Sequence, residues 1–382
     1  MQDTALWRLK ERLQFTGWLQ YLITLIWSLA FFLLAGVGSL VGAMRPLLLW
    51  LPLAIGALLL LVSLFDLVTI KLGWRPAEPR PKRRDDLDPF TLMRTRRSCR
   101  SFQARDLSPD DHAELMEYVR RQSEPASRLG DRPIRFEYVA APLTVWPVVG
   151  GREFLVAIAP HEYDRRAIID VGRCLQKIVL HATRMGLGTC WIGPGADHAS
   201  IKQHLGERFD PNADHIVCVC AVGYASRFLP LFIRIMSKAM RRRRPLEDLF
   251  YEDPLLQTPL DTEGEPFGRF TRCYEACRWA PSSFNAQPTR AVVLTQESEG
   301  EEGSPERIRV DFLASTDSRW YAPVALGIWC ANWETGCEAL GIPGRFAVLE
   351  PQAHGAGDAP RLPRYDLSWV EDGEDGESGT PP

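Results

Sequence analysis

The sequence predicts an α+β fold built twice within one chain and carried behind a pair of membrane-spanning helices. Three observations predict it. Segments recur at a constant offset: Arg132-Pro133-Ile134-Arg135 is matched 155 residues later by Gln287-Pro288-Thr289-Arg290, and the same offset carries Gly172 onto Gly327, Gly186 onto Gly341 and Ser127 onto Ser282. A repeat this long marks a duplicated domain rather than a solenoid. Near the N-terminus, Trp18 to Met44 and Pro46 to Phe65 contain no charged residue. Beyond them, helical and strand-like patterns mix without regular βαβ alternation, which favours α+β over a doubly wound sheet.

Composition bounds the reading. An apolar fraction of 46% over 382 residues supplies cores for about two domains. The formal net charge is −3, from 45 basic and 48 acidic residues, so no global basic excess exists to neutralise phosphates and a nucleic-acid binder is disfavoured. The nine cysteines are an odd number, include no Cys-x-x-Cys pair and show no zinc spacing. They read as buried thiols in a reducing compartment.

Taken in order, residues 1–72 are a membrane anchor. Each charge-free stretch meets the ~20 residues that a helix needs to cross the hydrocarbon core. The expected hairpin has spans at about 18–38 and 47–68, joined by a turn containing Gly38, Gly42 and Pro46. Trp18, Tyr21, Trp50 and Trp74 are expected at the membrane–water boundaries. Arg8, Lys10 and Arg12 precede the first span, and Lys71, Arg75, Arg80, Lys82, Arg83 and Arg84 follow the second, whereas the turn offers only Arg45. By the positive-inside rule both termini and everything beyond the hairpin face the cytoplasm. Residues 73–90, rich in proline and charge, read as an extended linker that also anchors to the inner leaflet.

The first half is taken as 91–245 and the second as 246–370. In the first half, Ser108 caps a helix of about 109–122 that starts on Pro109, with Ala113, Leu115, Met116 and Val119 on its apolar side. Strands are expected at Phe136–Ala141, Phe154–Ala159 and Ile216–Gly223, and a long helix at Ile168–Met185 that stops at Gly186. A short strand or loop begins at Trp191. In the second half, Arg269–Trp279 and Pro323–Leu340 read as helices, and Ala291–Thr295, Val310–Ala314 and Phe346–Leu349 as strands. Residues 296–306 read as a mobile loop and 371–382 as a disordered acidic tail.

Three motifs carry chemistry. Arg96-Arg97-Ser98-Cys99-Arg100-Ser101-Phe102 offers planar, permanently charged groups suited to a phosphate monoester. Gly186-Leu187-Gly188-Thr189-Cys190-Trp191-Ile192-Gly193 lets backbone approach something flat; a helix C-cap accounts for Gly186 but not for Gly188 or Gly193. Ala280-Pro281-Ser282-Ser283-Phe284-Asn285-Ala286-Gln287-Pro288 places hydroxyls and amides in a proline-bounded loop, able to match the edge of a heteroaromatic ring.

Together these motifs resemble the nitroreductase-like flavoprotein family, over about residues 90–365. The order, with the Ala-Pro-Ser-Ser segment last, resembles a branch in which one chain mimics the family's dimer. The resemblance implies a nitroreductase-like fold duplicated as a pseudo-dimer, a monomeric chain, and FMN held between the halves. It explains the uneven repeat. The first half keeps the arginine segment, whose counterpart is Tyr251 to Gln257. The second keeps Ser282, Ser283, Asn285 and Gln287, whose counterparts are Ser127, Arg128, Gly130 and Arg132. One composite site and one FMN per chain are expected, with the symmetry mate degraded.

By the same resemblance, Arg96, Arg97, Ser98 and Arg100 would hold the phosphate, with Arg243 and Arg244 as the late basic pair. Pro281, Ser282, Ser283, Asn285 and Gln287 would face the ring or ribityl chain, and Gly188, Thr189, Cys190, Trp191, Ile192 and Gly193 would line the isoalloxazine. Thr289 departs from the family's tryptophan after Gln-Pro, with Trp146 and Trp320 as other indoles. The segment between the first helix and strand is also altered. The implied chemistry is ping-pong transfer from NADH or NADPH to a small-molecule acceptor such as a nitroaromatic or quinone, with no catalytic side chain and no metal. A non-catalytic flavin-binding or membrane scaffold is the rival from another class. A reductive dehalogenase of the same superfamily is disfavoured by Ser283, Asn285 and Gln287.

Overall fold

The apolar stretches fold into a helical hairpin, with one further helix ahead of it. In the computed structural model, described over residues 4–40, 46–143, 145–193, 195–296, 307–355 and 363–373, α1 (Ala5–Phe15) leads into α2 (Leu19–Gly38) and α3 (Leu51–Asp66). π-helical turns, Pro46–Trp50 and Leu67–Lys71, flank α3, so the apolar stretch runs from Leu47 to Lys71. Both helices are long and apolar enough to cross a membrane. Small residues let them approach: the Ser28 hydroxyl donates to the Gly56 carbonyl (2.8 Å), and a Cβ on Gly38 would meet the Leu48 carbonyl oxygen at 2.1 Å. Trp18, Trp50 and Trp74 are exposed, and Tyr21 is buried. Gly42 and Arg45 lie outside the described residues.

Residues 74–84 run without helix or strand, and several of their polar groups bond to the protein. Arg75 donates to Ser226 Oγ and the Phe102 carbonyl (both 2.9 Å), Arg83 forks onto Asp85 and Glu114, and buried Glu78 accepts from Ser226 Oγ and the Arg227 N–H. The segment is a strap along the first half, with Arg80 and Lys82 left exposed.

The first half follows from α4 (Pro89–Thr95) and α5 (Pro109–Ser123). Ser108 caps α5, accepting from the Asp111 N–H; Leu115 and Val119 are buried, whereas Ala113 is exposed, because the helix seats a narrower stripe than its composition suggests. Strands β1 (Arg135–Ala140), β2 (Glu153–Pro160), β3 (Gly188–Ile192) and β4 (Asp214–Gly223) form an antiparallel sheet in the order β1-β2-β4-β3. Helices α6 (Arg165–Arg184), α7 (His198–Leu205) and α8 (Leu231–Ala239) complete this half.

The second half contains β5 (Phe250–Tyr251), α9 (Thr271–Arg278), β6 (Thr289–Gln296), β7 (Arg307–Ala314), α10 (Tyr321–Leu340), β8 (Gly344–Ala347), α11 (Pro351–His354) and β9 (Arg364–Glu371). Its sheet order, β5-β6-β7-β9-β8, repeats the first half's with β5 added in parallel. Two expectations are corrected. The helix expected over Arg269–Trp279 opens with a 3₁₀ turn at Phe267–Phe270. The sheet is completed by β9 rather than at Leu349, so Glu371 is not tail: it accepts from the Ile308 N–H and pairs with Arg269 (2.6 Å). Residues 297–306 and 374–382 lie outside the described residues.

The repeat is a packing symmetry. Helices α6 and α10 cross in the core, and a Cβ on Gly172 would stand 2.2 Å from the Val324 carbonyl oxygen, one on Gly327 2.0 Å from that of Ile169. Ile169 and Val324 are themselves 155 residues apart. Each half therefore offers the other the same patch, as in an isologous dimer interface.

Candidate functional site

The arginine segment owes its position to β3. After α4 ends at Thr95, residues 98–100 run extended beside that strand: Cys99 N–H donates to the Thr189 carbonyl (2.7 Å), and Ser98 bridges Thr189. A Cβ on Gly188 would stand 2.7 Å from Cys99 Sγ, so this glycine serves strand packing. Arg96, Arg97, Ser98 and Arg100 thereby reach one wall of a cavity of about 710 Å³ that lies between the halves. Trp191, Ile192 and Gly193 follow from the end of β3, and a Cβ on Gly193 would press on the Tyr321 ring at 2.6 Å.

The opposite wall comes from the second half. Pro281, Ser282, Ser283 and Asn285 line it. The loop is held in a rarely adopted shape: Phe284, Asn285 and Gln287 have φ of 50°, 55° and 51°. Such conformations persist where surrounding bonds over-determine them. Here Asn285 Oδ1 accepts from Arg243 (2.8 Å), its Nδ2 donates to the Arg242 carbonyl, Ser282 Oγ accepts from the Gln287 N–H, and Gln287 Oε1 accepts from the Arg244 N–H. The arginine run and the ring segment are thus one braced unit.

Electrostatics marks the cavity as an anion site. Arg96 is 5% exposed and, among the described residues, neither it nor Arg97, Arg100 or Arg243 pairs with a carboxylate. Burial first, then the charges of Arg243 and Arg97, pull Arg96 down to about 10; burial, then Arg97 and Arg278, do the same to Arg243. Among the described residues, Nε of Arg100 and Arg243 and the indole N–H groups of Trp146 and Trp191 are buried without hydrogen-bond partners. Buried unpaired cations and donors are unfavourable, and a bound anion with acceptor atoms relieves both. Arg97 and Arg243 also lie over the Trp279 ring, at 5.4 and 5.8 Å.

Five expected site residues stand apart from the cavity wall. Gly188, Thr189 and Cys190 lie further back along β3, where alternation and the Cys99 contact turn them into the fold; Cys190 is 2% exposed. Arg244 reaches toward Asp248 (3.7 Å), and Gln287 spends its amide on Arg244, Arg242 and Asn285. Asn285 lines the wall, but its amide braces Arg242 and Arg243 instead of being free for a ring edge. Trp146 lines the cavity, whereas Trp320 stacks on His215 and Thr289 is buried in β6. The wall also includes Tyr321, Val324, Ala325 and Ile328 of α10, and Met236 and Met240 around α8, none of them anticipated from the motifs.

The symmetry-related place is filled. The counterparts of Tyr321, Ala325 and Ile328 at the 155-residue offset are Arg166, Asp170 and Arg173. Asp170 accepts from the Leu129 and Gly130 N–H groups (2.8 and 2.9 Å), Arg173 donates to the Ser127 carbonyl and pairs with Glu334, and the Arg166 stem lies 2.9 Å from where a Gly130 Cβ would be. Charged side chains and their hydrogen bonds take up what apolar residues leave open on the other side.

With this geometry in place, the comparisons are decisive for the family. Residues 89–301, more than half the chain, match the family described as "Putative TM nitroreductase". The chain belongs to this nitroreductase family. Among solved structures, this nitroreductase-family chain is similar to a "putative nitroreductase" from Thermotoga maritima, at 14% identity and a TM-score of 0.42, over 78% of this chain and 96% of that one. A nitroreductase family protein from Clostridium novyi is similar at 20% identity, TM-score 0.31, over 37% and 87%. A "putative nitroreductase in complex with FMN" from Desulfovibrio desulfuricans is similar at 18% identity, TM-score 0.29, over 41% and 92%. No curated protein matches.

Proposed function

We propose that this protein is a membrane-anchored, FMN-dependent NAD(P)H oxidoreductase of nitroreductase type, holding one FMN per chain between its unequal halves. The observation that carries the reading is the carboxylate-free arginine group facing a braced polar loop across the cavity. FMN, when bound, supplies two-electron transfer from a nicotinamide to an acceptor such as a nitroaromatic or quinone in ping-pong fashion.

The chain's own residues bind and orient. Arg96, Arg97, Arg100 and Arg243 neutralise a phosphate dianion and replace its water with fixed donors. Ser98 and Ser283 add hydroxyls at the wall. Trp191, Ile192 and Gly193 support the flat ring system, and the indole N–H groups of Trp146 and Trp191 are donors without partners. No side chain is needed as a nucleophile: burial raises the Cys190 thiol, and raises Cys218 at the cavity wall to about 12, so both stay protonated at neutral pH. His181 lies away from this cavity, 3.2 Å from Glu114, with burial lowering its pKa. In this reading Leu19–Gly38 and Leu47–Lys71, both long and apolar enough to span a membrane, anchor the chain, and the basic flanks favour a cytoplasmic flavin domain by the positive-inside rule.

The test is purification in detergent with anaerobic titration. One extractable FMN per chain, bleached by NADH or NADPH and restored by an acceptor, is expected. A yellow sample indifferent to both nucleotides supports the scaffold reading, and a colourless one that refuses FMN ends the proposal.

A further inference from the structure

The wall of the cavity nearest the hairpin is built from helices with the character of membrane-surface segments. Helix α8 reads LFIRIMSKA, with Ile235 60% exposed beside exposed Arg234 and Lys238, and Arg241 and Arg242 just after it are exposed as well. A short helix with an apolar side and dense basic charge lies in the plane of a bilayer surface. It is fastened to the hairpin: the Leu231 N–H donates to Asp66 Oδ2 (2.9 Å), and Phe228 stands against Phe65 at 6.4 Å between ring centres. Helix α1 also exposes an apolar residue among basic ones, Leu9 between Arg8 and Lys10; Lys71 at the end of the second apolar stretch donates to the Thr16 carbonyl just after α1 (3.0 Å). Both helices reach the cavity, α1 through Lys10 and Gln14, α8 through Met236 and Ser237, with Met240 just beyond.

Met236 and Met240 are one helical turn apart on the cavity side, and unbranched thioether chains accommodate a variable apolar shape. We infer that the cavity is entered from the bilayer surface between α1 and α8, and that its acceptor is an amphiphile with a flat reducible head and an apolar tail that stays in the lipid. This rests on the proposed flavin function. For a quinone head the balance is complete: a nicotinamide gives a hydride, solvent gives one proton, and the quinone leaves as quinol with the nicotinamide oxidised.

The experiment uses the full chain in phosphatidylcholine vesicles and two probes, a decyl-tailed benzoquinone and the same ring without the tail. Bound flavin is first reduced with NADH or NADPH; failure of that step counts against the nicotinamide reading alone, and dithionite then supplies the electrons. Re-oxidation at least tenfold faster with the tailed probe is expected, and that advantage is expected to shrink in Ile235→Glu while the tail-less rate holds. A photoreactive version of the tailed probe, applied with and without FMN, is expected to label α8 around Met236 and Met240 or α1 around Gln14. This readout stands if Ile235→Glu fails to fold. Equal re-oxidation rates for the two probes, or labelling confined to residues outside α1 and α8, would overturn the inference.

Discussion

Arg96 is the residue on which the most opposing forces meet. It is charged, buried and, among the described residues, without a carboxylate partner, next to Arg97 and Arg243. In the free protein it is a source of strain; with a phosphate in place it is a source of affinity. Arg96→Met is therefore expected to act with opposite signs. FMN affinity should fall by roughly 10- to 100-fold, the range of lost charge-assisted bonds. The thermal midpoint of the FMN-free protein should rise, by on the order of 1–2 kcal/mol of stability. A variant that lost stability in both forms would mark Arg96 as structural. The same physics sets a pH dependence. Burial, then the neighbouring guanidinium charges, pull Arg96 and Arg243 down to about 10 in the folded chain, below the ordinary arginine value, so the unfolded chain holds more protons as pH passes that point. Stability of the FMN-free protein should gain from these groups as pH rises through about 10, whereas FMN retention should fall over the same range. Unfolding and flavin-release titrations in parallel check both signs.

At the scale of elements, the loop 282–287 and the run 241–244 act as one. Asn285 sits at positive φ, tolerated better by asparagine than by alanine, and its Oδ1 holds the Arg243 guanidinium. Asn285→Ala should loosen FMN by about tenfold and lower stability by roughly 2 kcal/mol, combining backbone strain with a lost bond to a charged group. Fluorescence titration and chemical unfolding measure the two effects separately. This coupling was only half legible beforehand. The sequence presents both segments as motifs, but 40-odd residues separate them, and hydrogen bonds between them depend on how β6 and the end of α8 are juxtaposed. Gly188 is the converse case. Its glycine-rich setting suggested approach to a ring, whereas its lack of a side chain makes room for Cys99 on the neighbouring segment.

For the whole molecule, the α6–α10 crossing decides whether the halves close around the site. Alanine at Gly172 or Gly327 would force a helix backbone away, since its Cβ would stand about 2 Å from a carbonyl oxygen. Each substitution should cost about 1–3 kcal/mol despite alanine's better helix propensity. The double variant should cost less than the two together, because one separation of the helices relieves both clashes. A double-mutant cycle by denaturant unfolding reads that coupling, and simple additivity would contradict a shared reciprocal contact. FMN affinity should drop in parallel, as Val324, Ala325 and Ile328 withdraw with α10.

The sequence by itself determined the apolar hairpin, the duplicated α+β plan, the family and the location of the arginine and Ala-Pro-Ser-Ser segments, because these are set by local composition, periodicity and motif. It also told which half had lost which motif. The repeat does not predict strand β9, because its spacing contracts from 155 to 150 between β4 and β9, Asp214 to Arg364. Only the tertiary structure decided which motif residues face the cavity, that charged side chains fill the symmetry mate, and that α1 and α8 place the cavity beside the apolar hairpin. Those outcomes depend on which backbone stands within a few ångströms of which side chain, and residues far apart in the chain set that distance.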